Sequence, residues 1–211
     1  MPLRLLDHPF RAEHFRRADE ASDADFYSFP RLVTHIDDAA IAALTRFYGD
    51  FLAPGSDVLD LMSSWVSHLP PAVDYRSVVG LGMNAAELAA NPRLSRWLVH
   101  DLNQAPGLPF ADAHFDACLI AVSVQYLARP LEVFTEIARV LRPGGGLAVS
   151  FSNRMFATKA VAVWRALDAA GHAQLVALYC QLAGFAAPVL ADLSPAPGRG
   201  DPLHVVATRK A

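Results

Sequence analysis

Short apolar runs alternate with segments of helical period along most of this 211-residue chain, and that alternation leaves few folds open. The runs "DVLDLM" (57–62), "SVVGLGM" (77–83), "RWLVHDL" (96–102), "FDACLIAVSV" (115–124) and "LAVSFSN" (147–153) read as strands of a parallel sheet, the first two buried and the fourth fully apolar in its middle. Asp37 stands as the N-cap of a helix carrying Ile41, Leu44, Tyr48 and Phe51 on one side and ending at Pro54-Gly55. Asn84 and Glu87 have capping-box spacing ahead of a helix that Asn91-Pro92 ends. Pro130 opens a helix with Leu131, Phe134, Ile137, Ala138 and Leu141 inward, stopped by Pro143 and Gly144–Gly146. Two further helices are expected between Ala157 and Ala183, separated near Gly171. The strands "AAPVLADL" and "LHVVATRK" then flank "SPAPGRGDP" (194–202).

The expected fold is α/β: an open sheet of seven strands, mostly parallel with the last antiparallel, and helices on both faces. Residues 1–53 are expected to form a small N-terminal helical cap or lid, and 54–211 one globular unit. In such a sheet a ligand lies outside the carboxyl ends of the central strands, which singles out the loops after Met62, Met83, Asp101 and Val124.

Composition narrows the function. Hydrophobic residues make up 53% and charged residues 18%, a globular balance, and a net charge of −3 provides no broad basic face for nucleic acid. Arg11, His14, Arg16 and Arg17 are interleaved with Asp7, Glu13, Asp19 and Glu20, as on a solvated helix face. Cys118 and Cys180 sit in apolar runs without metal-ligand spacing, as buried thiols of a reducing compartment do, and no histidine pair has metal spacing, so no metal is expected. The opening "MPLRLLDHPFRAEHF" lacks the apolar core of a signal peptide. The apolar stretch Ala157–Leu190 is interrupted by Lys159, Arg165, Asp168, His172 and Pro188. A cytoplasmic protein with no membrane partner is expected.

The stretch "FDACLIAVSVQYLARPLEVFTEIARVLRPGGGLAVSFSN", preceded by "HDLNQAPGLPFADAHFD", resembles the class I S-adenosylmethionine-dependent methyltransferases, whose sheet is Rossmann-like. The likeness covers roughly residues 54–152, and "RVLRPGG" is its most specific part. It implies that Asp60 and the turn after it steer the methionine end of S-adenosylmethionine. By the same likeness Asp101 and Leu102 meet the adenine, while Val122 and Ser123 lie beside the sulfonium.

Two positions depart from the family pattern. Glycines expected near Met62, Ser64 and Val66 are absent. Ser63 and Ser64 are expected to substitute with hydroxyl and N–H donors at a helix start, and Trp65 either stacks on a ligand or packs. The acid expected after the second strand, which holds the ribose, aligns with Gly82 beside Met83. Asn84 either reaches the ribose in its place or caps the helix, and Glu87 is left to the cap.

At the reacting end, Tyr126, Asn153 and Arg154 are the candidate groups, with Gln125 nearby; Tyr126 is alternatively a core aromatic and Arg154 a surface charge. His35, His68 and His172 are expected to be structural or solvent-facing. Phe26, Tyr27 and Phe29 in "DADFYSFPRLVTHID" form either a lid or a segment stapled to the core, with Arg31 beside them. The expected function is methyl transfer from S-adenosylmethionine to a small-molecule acceptor by in-line displacement, in a monomer or homodimer. A catalytically inactive S-adenosylmethionine-binding module is the alternative. A nicotinamide enzyme is disfavoured by the absence of G-x-G-x-x-G after the first strand.

Overall fold

The computed structural model describes residues 9–196 and 199–211. Seven strands form one sheet: β1 (Asp57–Leu61), β2 (Ser77–Gly82), β3 (Arg96–Val99), β4 (Phe115–Ala121), β5 (Leu141–Phe151), β6 (Val189–Asp192) and β7 (His204–Arg209). Their order across the sheet is β3-β2-β1-β4-β5-β7-β6. Neighbours from β3 to β5 pair in parallel, and β7 runs antiparallel to both β5 and β6. Strand order reverses at β1, between β2 and β4, and that reversal opens a crevice above the strand ends.

Side chains alternate across the central strands, as an extended backbone requires. Leu59, Leu61, Cys118, Ile120, Leu147 and Val149 face one buried layer, and Val58, Ala117, Leu119 and Ala148 face the other. The first layer is closed by α4 (Pro130–Val140) and α6 (Ala169–Leu182), through Val133, Phe134, Ile137, Val176 and Tyr179. The second is closed by α2 (Asp38–Phe51), through Ala40, Leu44 and Tyr48, with the Asp37 carboxylate accepting from the Ala40 N–H at 2.9 Å as its cap. Burial on both faces explains why β1 and β4 carry almost no polar residues apart from their acids.

Three local expectations need correction. No helix follows β1: residues 62–76 form an irregular connection, in which Pro70 and Pro71 and the lack of a 3.6-residue apolar period deny a helix its hydrogen bonds and buried face. "RPGGG" belongs to β5, which begins at Leu141 and shifts register against β4 before the regular ladder from Gly146; a Cβ there would strike the Phe51 ring of α2. The break between the last helices lies before Gly171, because Asp168 caps α6 through the Gly171 N–H at 2.8 Å, leaving α5 (Ala162–Arg165) short.

Candidate active site

A cleft of about 540 Å³ lies over the carboxyl ends of β1, β2 and β4 and the loop after β3. At its floor, the turn after β1 is built around Asp60. This carboxylate is 2% exposed and accepts through Oδ2 from Ser63 Oγ (2.7 Å) and Ser67 Oγ (2.6 Å). Burial pushes its pKa up to about 6, against the lowering effect of the two hydroxyls. Asn91 donates to Ser67 Oγ and the Ser64 carbonyl, both at 2.9 Å, and so ties the turn to the end of α3 (Ala85–Ala90).

Met62 adopts φ 58°, the left-handed conformation for which a glycine is the usual residue. One glycine-type bend therefore survives with a side chain on it. Ser63 N–H is paired with the Leu81 carbonyl at 2.9 Å, whereas the N–H groups of Ser64, Trp65 and Val66 have no protein acceptor among the described residues. Trp65 does not border the cleft; its indole donates to the Val33 carbonyl at 2.9 Å, so it packs as a strut rather than stacking on a ligand.

Gly82, at the end of β2, does not border the cleft either. A Cβ there would collide with the Ser63 carbonyl, so the pressing of the β1 turn onto β2 explains why no acid occupies this place. Met83 and Asn84 follow in the cleft wall. Asn84 is committed on both sides: Oδ1 accepts from the Ala86 and Glu87 N–H groups, and Nδ2 donates to the Tyr27 and Ser28 carbonyls at 2.8 and 3.1 Å. It caps α3 and holds the chain above the cleft, which leaves no group for a ribose. Glu87, expected only to complete the cap, instead borders the cleft and accepts from the Arg31 N–H at 2.7 Å.

After β3, Asp101 and Leu102 both border the cleft. Asp101 Oδ1 organises its loop by accepting from the Asn103 and Gln104 N–H groups, and the Leu102 N–H has no protein acceptor among the described residues. After β4, Val122 takes φ 43°, a strained conformation for a β-branched residue that costs on the order of 1–3 kcal/mol. Its N–H donates to the Ser150 carbonyl, and Gln125 Nε2 donates to its carbonyl, each at 2.9 Å. Beside it, the Ser123 hydroxyl is buried without a partner at the cleft wall.

The candidate reacting groups separate in space. Tyr126 borders the cleft, but its hydroxyl accepts from the Phe156 N–H at 2.8 Å and burial raises its pKa, so it is not a ready base. Arg154 reaches the rim, where its Nε donates to both Asp201 oxygens at 3.0 and 3.1 Å. Asn153 points away, at a second and smaller cavity of about 230 Å³ with His172 and His204.

Over the cleft, the segment from α1 (Asp23–Phe26) to Asp37 forms a roof carrying Tyr27, Arg31, Val33 and His35. Its anchor is ionic and buried. Arg17 Nη1 donates to Asp23 at 2.6 and 2.7 Å. Lys159, fully buried, pairs with Asp23 at 3.3 Å and Asp19 at 3.2 Å and donates to the Ala21 carbonyl at 2.6 Å. Asn103 Nδ2 adds a bond to Asp23 at 2.8 Å. Asn103, Phe156 and Asp201 escaped sequence reasoning because the partners that tie them to the site lie 23 to 164 positions away, and Asp23 because only Arg17, six positions off, is near it in sequence; Lys159, a charge inside an apolar run, carried a signal. Among the described residues no group of three or more His, Cys, Asp or Glu is placed to hold a metal ion, and no helix is long and apolar enough to cross a membrane.

Residues 66–149 match a family model described as a methyltransferase domain. A demethylmenaquinone methyltransferase of Renibacterium salmoninarum is 32% identical over 105 residues, covering 49% of this chain and 44% of that protein. A ubiquinone/menaquinone biosynthesis C-methyltransferase of Roseobacter denitrificans is 43% identical over 68 residues, 32% of this chain and 26% of that protein. The matches thus span less than half the length of these curated relatives. An S-adenosylmethionine-dependent methyltransferase of Aquifex aeolicus superposes with a TM-score of 0.59 at 16% identity, over 89% of this chain and 97% of that one. The chain has the class I S-adenosylmethionine-dependent methyltransferase fold, and its segment 66–149 carries the sequence of the methyltransferase-domain family.

Proposed function

We propose that the protein is an S-adenosylmethionine-dependent methyltransferase acting on a small organic molecule. The observation that carries this is the donor set of the cleft lining: the free N–H groups of Ser64 and Val66 with the Asp60 carboxylate, and the free Leu102 N–H with Asp101. These groups fit an amino acid at one end and an adenine at the other, so Asp60 would hold the ammonium, the turn the carboxylate, and Asp101 with Leu102 the base. Asn84 being spent, Glu87 is the acid left to meet the ribose hydroxyls. The sulfonium supplies an activated methyl group. The chain's own task is to align the acceptor with it and exclude water, which the roof and the tightly bent Val122–Ser123 wall do. The described residues up to 53 act as the cap of this site and those from 54 on as the transferase unit, residues 1–8 of the expected cap lying outside the described residues; within the cap, α2 also closes the second core layer.

The outer half of the cleft, with Tyr27, Val33, Met155 and Phe156, suits a flat apolar acceptor. The names of the two curated relatives, both quinone-pathway methyltransferases, point the same way. The test is incubation with methyl-deuterated donor and a panel of hydroquinones, phenols and aliphatic amines, read by mass spectrometry. Label on a ring-bearing acceptor supports the proposal. Full binding of the donor with no labelled product from any acceptor counts against it.

A further inference from the structure

One wall of the outer cleft carries three basic side chains and no carboxylate paired with any of them. Arg31 lies 4.6 Å over the Phe26 ring and 5.5 Å from the Phe156 ring, and its guanidinium donates only to the Phe26 and Phe29 carbonyls. His35 packs edge-on against Phe156 at 5.6 Å, on a backbone with φ 64°. His68 is 7% exposed, borders the cleft at φ 53°, and has a buried Nδ1 with no partner. None of the neighbouring acids pairs with these three side chains: Asp23 pairs with Arg17 and Lys159 and Asp201 with Arg154, Asp37 accepts from the Ala40 and Asp201 N–H groups, Asp60 accepts from two serine hydroxyls through Oδ2, and Glu87 accepts from the Arg31 backbone N–H through Oε1.

We infer that this row of Arg31, His35 and His68 is an anion-receiving subsite, and that the acceptor is a flat organic carboxylate whose ring lies against Phe156. The inference rests on the methyltransferase reading for the word acceptor, but the subsite stands on its own residues. Two further facts agree with it. Burial and then the Arg31 charge lower the His35 pKa, and burial and then His35 lower that of His68 to about 4. Burial is the main cause in each case, so the two imidazoles stand as neutral groups beside the Arg31 charge, and a carboxylate placed among them favours their protonated forms. In a chain with net charge −3, an Arg31 guanidinium in the cleft with no carboxylate partner is also not a by-product of overall basicity.

Benzoate, with benzamide as its uncharged counterpart, is the probe, and the imidazole signals in long-range proton–nitrogen NMR spectra are the readout. The expected result is that benzoate moves the His35 and His68 signals and that both rings then titrate about one pH unit higher. Benzamide leaves them in place. Arg31→Gln is expected to weaken benzoate binding about tenfold, and His35→Ala gives a second reading that leaves the roof's guanidinium contacts intact. Equal response to benzamide, or changes confined to His100 and His114, overturns the inference. S-adenosylhomocysteine binding by calorimetry on the same sample separates the two proposals. Binding of that nucleoside without benzoate removes only the anion subsite. Binding of benzoate without the nucleoside removes the methyltransferase reading and leaves the subsite.

Discussion

Replacing Asp60 by asparagine keeps the shape of the side chain and removes its charge. In the unfolded chain this carboxyl gives up its proton near 3.8, and in the folded protein at about 6. The folded state thus binds more protons between those values, so stability falls as pH rises through that window and the loss is complete above about pH 6. Two pH units correspond to about 3 kcal/mol at neutral pH. Asparagine escapes this cost. Its amide oxygen still accepts from Ser63 and Ser67, but more weakly than a carboxylate, a loss of about 1 kcal/mol. The net expectation for Asp60→Asn at pH 7.5 is a gain of about 1–2 kcal/mol, or roughly 3–6 °C in Tm for a chain of this size. At pH 4 the two proteins should melt within about 2 °C of each other. The same change should weaken S-adenosylhomocysteine binding at least about tenfold, because the ligand's ammonium loses its carboxylate. Calorimetric melting from pH 4 to 8, paired with binding titrations, measures both effects. A variant that melts below the parent at pH 7.5, or whose Tm difference does not change with pH, refutes the idea that a desolvated carboxylate sits beneath the turn.

The other expectations follow from the same site. Gly82→Ala places a methyl group against the Ser63 carbonyl and should cost about 1–3 kcal/mol in urea denaturation while weakening the nucleoside ligand; stability within 0.5 kcal/mol of the parent would show that the β1 turn does not press on β2. Lys159→Met strips Asp23 and Asp19 of a buried partner and should cost about 3–5 kcal/mol, with limited proteolysis cutting between residues 16 and 37 sooner; unchanged cleavage would mean the roof is held by its aromatic contacts alone. Nucleoside affinity should fall about tenfold per pH unit below pH 6, as the proton on Asp60 competes with the ligand's ammonium. A flat profile from pH 7 to 5 would contradict that assignment.

Strands and caps were legible because each depends on neighbours within a few residues. Asp37 and Asn84 cap the helices their spacing announced, and the all-apolar middle of β4 is where a central parallel strand belongs. The path after β1 was not legible, because a glycine-poor turn is ordinarily rescued by a helix start. Here it is rescued by side chains that reach back to Asp60 and across to Asn91. The spacing left two roles open for Asn84 and gave no sign of the Glu87 contact with the roof, for a similar reason. The spacing that makes a capping box says nothing about a carbonyl of Tyr27 or an N–H of Arg31 arriving from 56 or 57 positions away. The roof itself rests on Arg17, Asp23 and Lys159; Arg17 reads in sequence as part of a solvated face, and the three become a buried network only when the chain closes.

Whether the cleft seats an adenosyl amino acid is decided most directly by titrating the intact protein with S-adenosylhomocysteine in a calorimeter at pH 7.5. One site of micromolar-range affinity, weakened in Asp60→Asn, is the outcome required here. A folded sample giving neither heat nor any rise in Tm at millimolar ligand would contradict it.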